Sequence, residues 1–337
     1  MRTAKTVIKP PTHYMNMGWL AFDNIEEALQ DSKEILLPFN FKTWGLFAII
    51  ILLSGYFAVS FPGLPGGGFG TTPDAGMETD SVAETAFTNN FAMQSGLNPG
   101  DFTGAFQQSS MDASLFLLAG AGIIGLIMAL LFITSVFHFV MYRSVKDKEP
   151  QIGLAREYIS EGFQFFLYRV TTFLALLLGL GILALPLVVS LWTGLAVVPL
   201  AILLLIGFAV LDWIVIHLVL PDMIYSEKGL IQAFRSSLEV VQNQFKEVAL
   251  FWLTKWVIGI VLGIGVSMVL ISGLVLLALP FVVIGGLMYL AGLTGLWLVP
   301  VAMVYGLMAF VAVLYAAVPI RVFIFSYILN IYEDLFQ

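Results

Sequence analysis

The sequence predicts an all-α, polytopic membrane protein: six transmembrane helices forming three hairpins, each preceded by an amphipathic helix at the cytoplasmic interface. Three observations carry that expectation. Hydrophobic residues make up 59% of the 337 and charged residues 11%, against roughly 45–50% and about 25% in soluble domains. The apolar residues fall in long unbroken runs, not in the short alternating segments of a transmembrane barrel. Every Lys and Arg falls in segments that six spans would place on one side of a membrane. A soluble globule of this length has no interior to hide such a surplus, so a soluble enzyme, a nucleic-acid binder and a disordered chain are excluded.

A span needs about 20 apolar residues to cross roughly 30 Å of hydrocarbon. In chain order, 1–43 reads as a cytoplasmic N-terminus with an interfacial helix. Residues 44–142 read as a first hairpin, with spans at Trp44–Phe61 and Leu115–Tyr142 around a long outer loop, 62–112. A second interfacial helix occupies 143–171, and a second hairpin, 172–220, has spans Thr172–Leu191 and Leu195–Leu220. A third interfacial helix lies in 221–255. The third hairpin and C-terminal tail fill 256–337, with spans Trp256–Val282 and Trp297–Phe323. No continuous apolar core marks the first 20 residues as a cleaved signal peptide. Cations lie before the first span (Arg2 to Lys42), between the second and third (Arg143 to Arg169), between the fourth and fifth (Lys228 to Lys255) and at Arg321, with none from Thr43 to Tyr142. That distribution puts both termini in the cytoplasm. A seventh span near Phe281–Leu293 would put Arg321 on the wrong face.

The segment Leu183-Ala-Leu-Pro186-Leu-Val-Val189 recurs as Leu277-Ala-Leu-Pro280-Phe-Val-Val283, and Gly194-Leu-Ala-Val-Val-Pro199 as Gly295-Leu-Trp-Leu-Val-Pro300. The last two hairpins therefore read as copies of one unit, with their prolines near helix ends, where a missing N–H costs least. Ala28-Leu29-x-x-Ser32 likewise recurs as Ala233-Phe234-x-x-Ser237, and both copies run on to Phe-Lys, at Phe41-Lys42 and Phe245-Lys246. Apolar residues at helical period in both segments, with a weaker third copy at Gly153–Tyr168, are the basis for the interfacial helices. The outer loop is rich in Gly, Pro, Thr, Asn and Gln, carries acids such as Asp74, Glu78, Asp80 and Glu84, and has no cation. It does not match an EF-hand pattern.

The run Ile25-Glu-Glu-Ala-Leu29, Ile35-Leu-Leu-Pro-Phe39 and Trp44 precedes a span and a Gly-rich loop. It is followed by Ser135-Val136, Phe139-Val140, Arg143-Ser144, Tyr158, Gly162-Phe163 and Arg169. Over residues 22 to 175 this resembles an uncharacterised family of archaeal multi-pass membrane proteins, a domain of unknown function. Leu220-Pro-Asp-Met-Ile224 to Ser237 is loosely similar to the non-catalytic membrane domain attached to some glycerophosphodiester phosphodiesterases. The first resemblance implies a six-span fold, and neither implies an activity.

Asp212 is the one ionisable residue clearly inside a span, about 15 residues or roughly 22 Å along the fourth. A charge at such depth is costly and is usually paired or functional. Lys255, Arg321 and His217 are its candidate partners, although His217, five residues on, points about 140° away. His138, Lys255 and Arg321 fall near the inner interface, where snorkelling accounts for them. Gly259-x-x-x-Gly263 and Ala121-x-x-x-Gly125 fit close helix packing, and Trp44, Tyr142, Trp192 and Trp297 suit interface anchors. No HExxH, GxSxG or Walker loop occurs. The chain has no Cys, and its histidines are His13, His138 and His217, so neither a catalytic constellation nor a metal or cofactor site is expected. The expected function is that of a non-enzymatic integral membrane protein, a structural or accessory subunit in the cell membrane. The expected contacts are membrane lipids, a protein partner at the outer loop or interfacial helices, or a second copy, and no nucleic acid. The alternative is a small-solute or ion transporter or channel with Asp212 as its intramembrane site.

Overall fold

The computed structural model describes residues 20–55, 113–189, 191–292 and 298–336. Among these there is no strand. Five helices are long and apolar enough to cross a membrane, or six if one sharply bent pair counts as a span. The outer loop with its acids lies outside the described residues, as do Tyr56–Phe61 of the first expected span.

The bent pair is α1 (Leu20–Leu36) and α2 (Phe41–Leu53), which meet at 118°. Pro38 cannot continue a helical ladder. Asn40 then caps α2 by accepting from the Lys42 N–H at 2.9 Å. The Trp44 indole donates back to the Leu36 carbonyl at 3.1 Å, which ties the corner shut.

The remaining helices are α3 (Ala113–Lys146), α4 (Ile159–Val189), α5 (Leu191–Ile214), α6 (Leu220–Ser226), α7 (Leu230–Asn243), α8 (Phe245–Leu290) and α9 (Val299–Phe336). A 3-10 turn, Ile152–Arg156, precedes α4. A π-helical turn, Val215–Val219, carries α5 into α6 without a break.

Several boundaries differ from expectation. The second interfacial helix expected in 143–171, with its weaker repeat copy at 153–168, is no separate helix, because α4 starts at Ile159 and runs straight into the span; nothing between them breaks a helix. The interfacial helix expected within 221–255 ends at Asn243, where Gln244 leaves helical geometry (φ −124°, ψ 40°). Beyond it α8 continues for 46 residues, about 69 Å. It passes Phe281 without a turn and stops where Gly292 takes φ +78°, a conformation that ends helices and favours glycine. Pro199 and Pro280 are helix-interior rather than near helix ends. The last helix continues well past Phe323, to Phe336.

By contacts the chain divides into Gly67–Leu131 and the remainder. Of the first unit, the described part is the helical stretch 113–131. The second holds a continuous core at the end of the helices where the cations cluster, here termed the basic end. Phe47 and Ile51 of α2, Phe139 and Tyr142 of α3, Phe165 of α4, Leu218 of the π turn, Phe251 of α8 and Phe325 of α9 all belong to it. Helix α1 packs on α9 through Ala21, Asn24, Ala28, Ser32 and Ile35, a face of helical period. Tyr327 donates to the Ala21 carbonyl at 2.8 Å, and Asn24 to Asp334 at 2.8 Å.

Candidate functional site

The π turn organises the polar interior. Pro221 has no N–H and its ring collides with the carbonyl four residues back, so the ladder widens to i→i+5 bonding, as in Leu220 N–H to Val215 O. In that register the carbonyl facing the missing Pro221 donor is that of Ile216. The hydroxyl of Tyr142 supplies the donor instead, at 2.6 Å. Tyr142 is therefore a buried strut and not the interface anchor expected from its place in the sequence.

The same turn aims His217 at α8. Its Nδ1–H donates to the Trp213 carbonyl at 2.7 Å, which leaves Nε2 to accept from the Lys255 ammonium, with which it is in contact. His138 on α3 repeats the pattern. Its Nδ1–H donates to the Thr134 carbonyl at 2.6 Å, and Nε2 accepts from Arg169 of α4 at 3.0 Å. Arg169 also donates to the Thr134 hydroxyl at 3.3 Å and lies over the Phe165 ring at 4.4 Å. Both contacts suit a neutral imidazole, since protonating it would set two cations against each other. Arg321 of α9 lies near enough to act electrostatically on both His138 and Lys255.

His138, Arg321, Lys255 and His217 thus form one layer with Arg169, drawn from α3, α4, the π turn, α8 and α9. His138 is 3% exposed and Arg321 7%, so these two point inward among helices; snorkelling does not describe them. Asp212 stands apart from its expected partners. Lys255 is engaged by His217, and the cation whose field reaches Asp212 is Arg169, which the sequence places before the span. Asp212 accepts no hydrogen bond from any described residue.

The most connected carboxylate among the described residues is one that sequence reasoning passed over. Asp222, at the start of α6, is fully buried. Its carboxylate accepts from Ser226 at 2.8 Å, from Tyr332 of α9 at 2.8 Å, from Lys228 at 3.2 Å and from Ser236 of α7. Around it, Tyr225 donates to Glu333 at 2.7 Å, and Lys146 lies over the Tyr225 ring at 3.5 Å. The available signal was an acid directly after Leu220-Pro221 at the foot of a long apolar run.

Expected small-residue contacts are also redistributed. A Cβ on Gly259 or Gly125 would meet nothing within 4 Å. At Gly162 it would lie 2.9 Å from the Val136 Cα, and at Gly179 2.9 Å from a Leu204 methyl. The close helix approaches are thus α3 to α4 and α4 to α5. Trp192 and Trp297 lie outside the described side chains.

Long apolar helices around a bonded polar layer define a multi-pass helical membrane protein. From residue 19 to residue 336 the chain matches the Family of unknown function (DUF7544), and it belongs to that family. No curated protein and no solved structure matches it.

Proposed function

We propose that the protein is a non-enzymatic structural or accessory subunit of a membrane assembly. The observation that carries this reading is the Asp222 network, which uses hydroxyls and an ammonium from three segments to fasten the basic end. Such an end makes a fixed platform, with Ile231 (84% exposed) and Arg235 on the outward face of α7. In the cell membrane, both termini face the cytoplasm under the positive-inside rule. The helices act as three hairpins, with α1 and α7 as interfacial helices, and the last two hairpins descend from one unit. The resemblances to archaeal multi-pass proteins and to the non-catalytic membrane domain of some glycerophosphodiester phosphodiesterases agree with a role without chemistry.

Gentle solubilisation of native membranes followed by blue-native electrophoresis and crosslinking mass spectrometry tests the proposal. The expected result is a discrete assembly of fixed stoichiometry. A monodisperse monomer with no reproducible crosslinked neighbour would defeat it. The transporter reading keeps one observation in its favour, an embedded Asp212 without a hydrogen-bond donor among the described residues. Ion or solute flux in proteoliposomes that disappears in Asp212→Asn would establish that reading instead.

A further inference from the structure

Lys255 brings three N–H donors to the polar layer. Among the described residues one acceptor meets them, His217 Nε2, and no carboxylate lies in ion-pair range of the ammonium. The charge that does reach Lys255 is that of Arg321, another cation. Asp212, the embedded acid, is reached by Arg169 instead. An ammonium inside a span that feels a second cation and has no carboxylate beside it is costly to keep charged. An anion that joins it removes that cost.

The site is open to the side. Lys255 follows the first residue of α8, Phe245, by ten positions, about 15 Å, and is partly exposed. Trp252, one turn earlier, and Trp256, next in the chain, are 47% and 53% exposed. Exposed indole rings on a membrane helix mark the headgroup level, so Lys255 stands where lipid phosphates lie. From there Trp256, Ile260, Ile264 and Met268 follow one another at four-residue spacing along one face of α8, each at least 43% exposed.

We propose that Lys255 binds the phosphate of one anionic phospholipid, with an acyl chain along Trp256, Ile260, Ile264 and Met268. The phosphate oxygens accept the donors that His217 leaves over, and they bring the negative charge that no described carboxylate supplies to Lys255. A head of net negative charge is selected over a zwitterionic one, whose added cation would meet the field of Arg321. Inorganic phosphate shares the charged group, but only a lipid also covers the apolar stripe.

The test titrates delipidated full-length protein with phosphatidylglycerol or phosphatidylcholine of identical chains and reads occupancy by native mass spectrometry. One tightly held phosphatidylglycerol per chain is expected, with phosphatidylcholine about tenfold weaker or worse. Lys255→Met should abolish that preference. Lys246→Met, at an exposed cation near the start of the same helix, should leave it unchanged. Excess inorganic phosphate should leave the lipid in place; displacement would assign the site to the phosphate group alone and overturn the acyl contact. Equal affinity for the two lipids, a preference that survives Lys255→Met, or one lost in Lys246→Met would overturn the proposal. If Lys255→Met does not fold, phosphatidylglycerol with a photoreactive head decides on the unaltered chain. Labelling within residues 252–260 supports the site, and labelling confined elsewhere overturns it. None of these outcomes depends on whether the protein serves in an assembly.

Discussion

At the basic end, Phe139, Tyr142, Phe251 and Tyr327 are each at most 1% exposed, while along the opposite halves of the same helices Leu178, Val269 and Met303 stand 67%, 73% and 70% exposed. Both regions are strongly apolar, so composition does not separate them. The difference lies in the polar groups. Around the basic end sit Asp222 with its donors, the two His–cation contacts and the Tyr142 hydroxyl on the π turn. The distal halves have apolar grooves and many glycines with open space beside them, although Gly179 of α4 packs on Leu204 of α5. In lipid, apolar surface gives little reason for one helix to prefer another over an acyl chain, so packing and hydrogen bonds must supply the association. The polar fastenings of the described helices therefore sit at one end, and much of the rest presents apolar surface of the kind that suits lipid.

That contrast can be broken most directly at Asp222. Asp222→Ala removes the acceptor of three hydroxyls, at about 1 kcal/mol each. Lys228, with its side chain 37% exposed, can turn back to water. A loss of about 3 kcal/mol is expected in detergent unfolding, and an unchanged midpoint would mean that the network does not hold the end together. Next comes helix contact. Gly162→Ala forces α4 away from Val136 and should cost about 2 kcal/mol. Gly265→Ala on the distal part of α8 has nothing within 4 Å and should stay within about 0.5 kcal/mol. Equal effects at the two glycines would erase the distinction between the ends.

Tyr142→Phe tests the π turn. The Ile216 carbonyl loses its donor, and a cost of about 1–2 kcal/mol is expected, with faster amide exchange confined to residues 214–222. Uniform exchange across the helix would count against the strut. Asp212→Asn should fall below about 1 kcal/mol, since the amide is nearly isosteric and no described residue donates to the acid. A larger loss, rescued by also changing Arg169, would mean that the two form a buried ion pair.

The smallest effect is at the surface. Burial lowers the Lys148 pKa, but hydrogen bonds to Asp31 (2.8 Å) and Glu34 (2.6 Å) outweigh it and leave the value raised. The folded pKa thus exceeds the unfolded one of about 10.4. The contribution is complete below that pH and fades as pH rises through the folded pKa. With Lys148 44% exposed, Lys148→Met should cost only a few tenths of a kcal/mol at about pH 8, and less near about pH 11. A larger deficit at the higher pH would reverse the assignment.

The sequence by itself determined that the chain is helical and membrane-spanning. Apolar runs of span length have no other way to satisfy their backbone in lipid, and the clustered cations marked which ends of the runs belong together. It also singled out His138, His217, Lys255, Arg321 and Asp212, because they interrupt or border those runs, but it assigned snorkelling to His138 and Arg321, which the structure turns inward. Their partners were not legible. Arg169 to His138 and Lys255 to His217 join residues 31 and 38 positions apart, and each bond depends on how two helices are rotated against each other. The 3.6-residue period sets the faces of one helix but not the neighbour each face meets. Asp222 was missed for the same reason. Outside a span an acid reads as solvated, and only the folding of α7 and α9 around it makes it the most connected carboxylate described. Tertiary structure also decided that α4 runs unbroken through its amphipathic segment, and that Pro221 widens the ladder and turns His217 toward α8. A local pattern allows either a break or a bulge there, and a neighbouring hydroxyl, that of Tyr142, stabilises the bulge by bonding the carbonyl that faces the missing proline N–H.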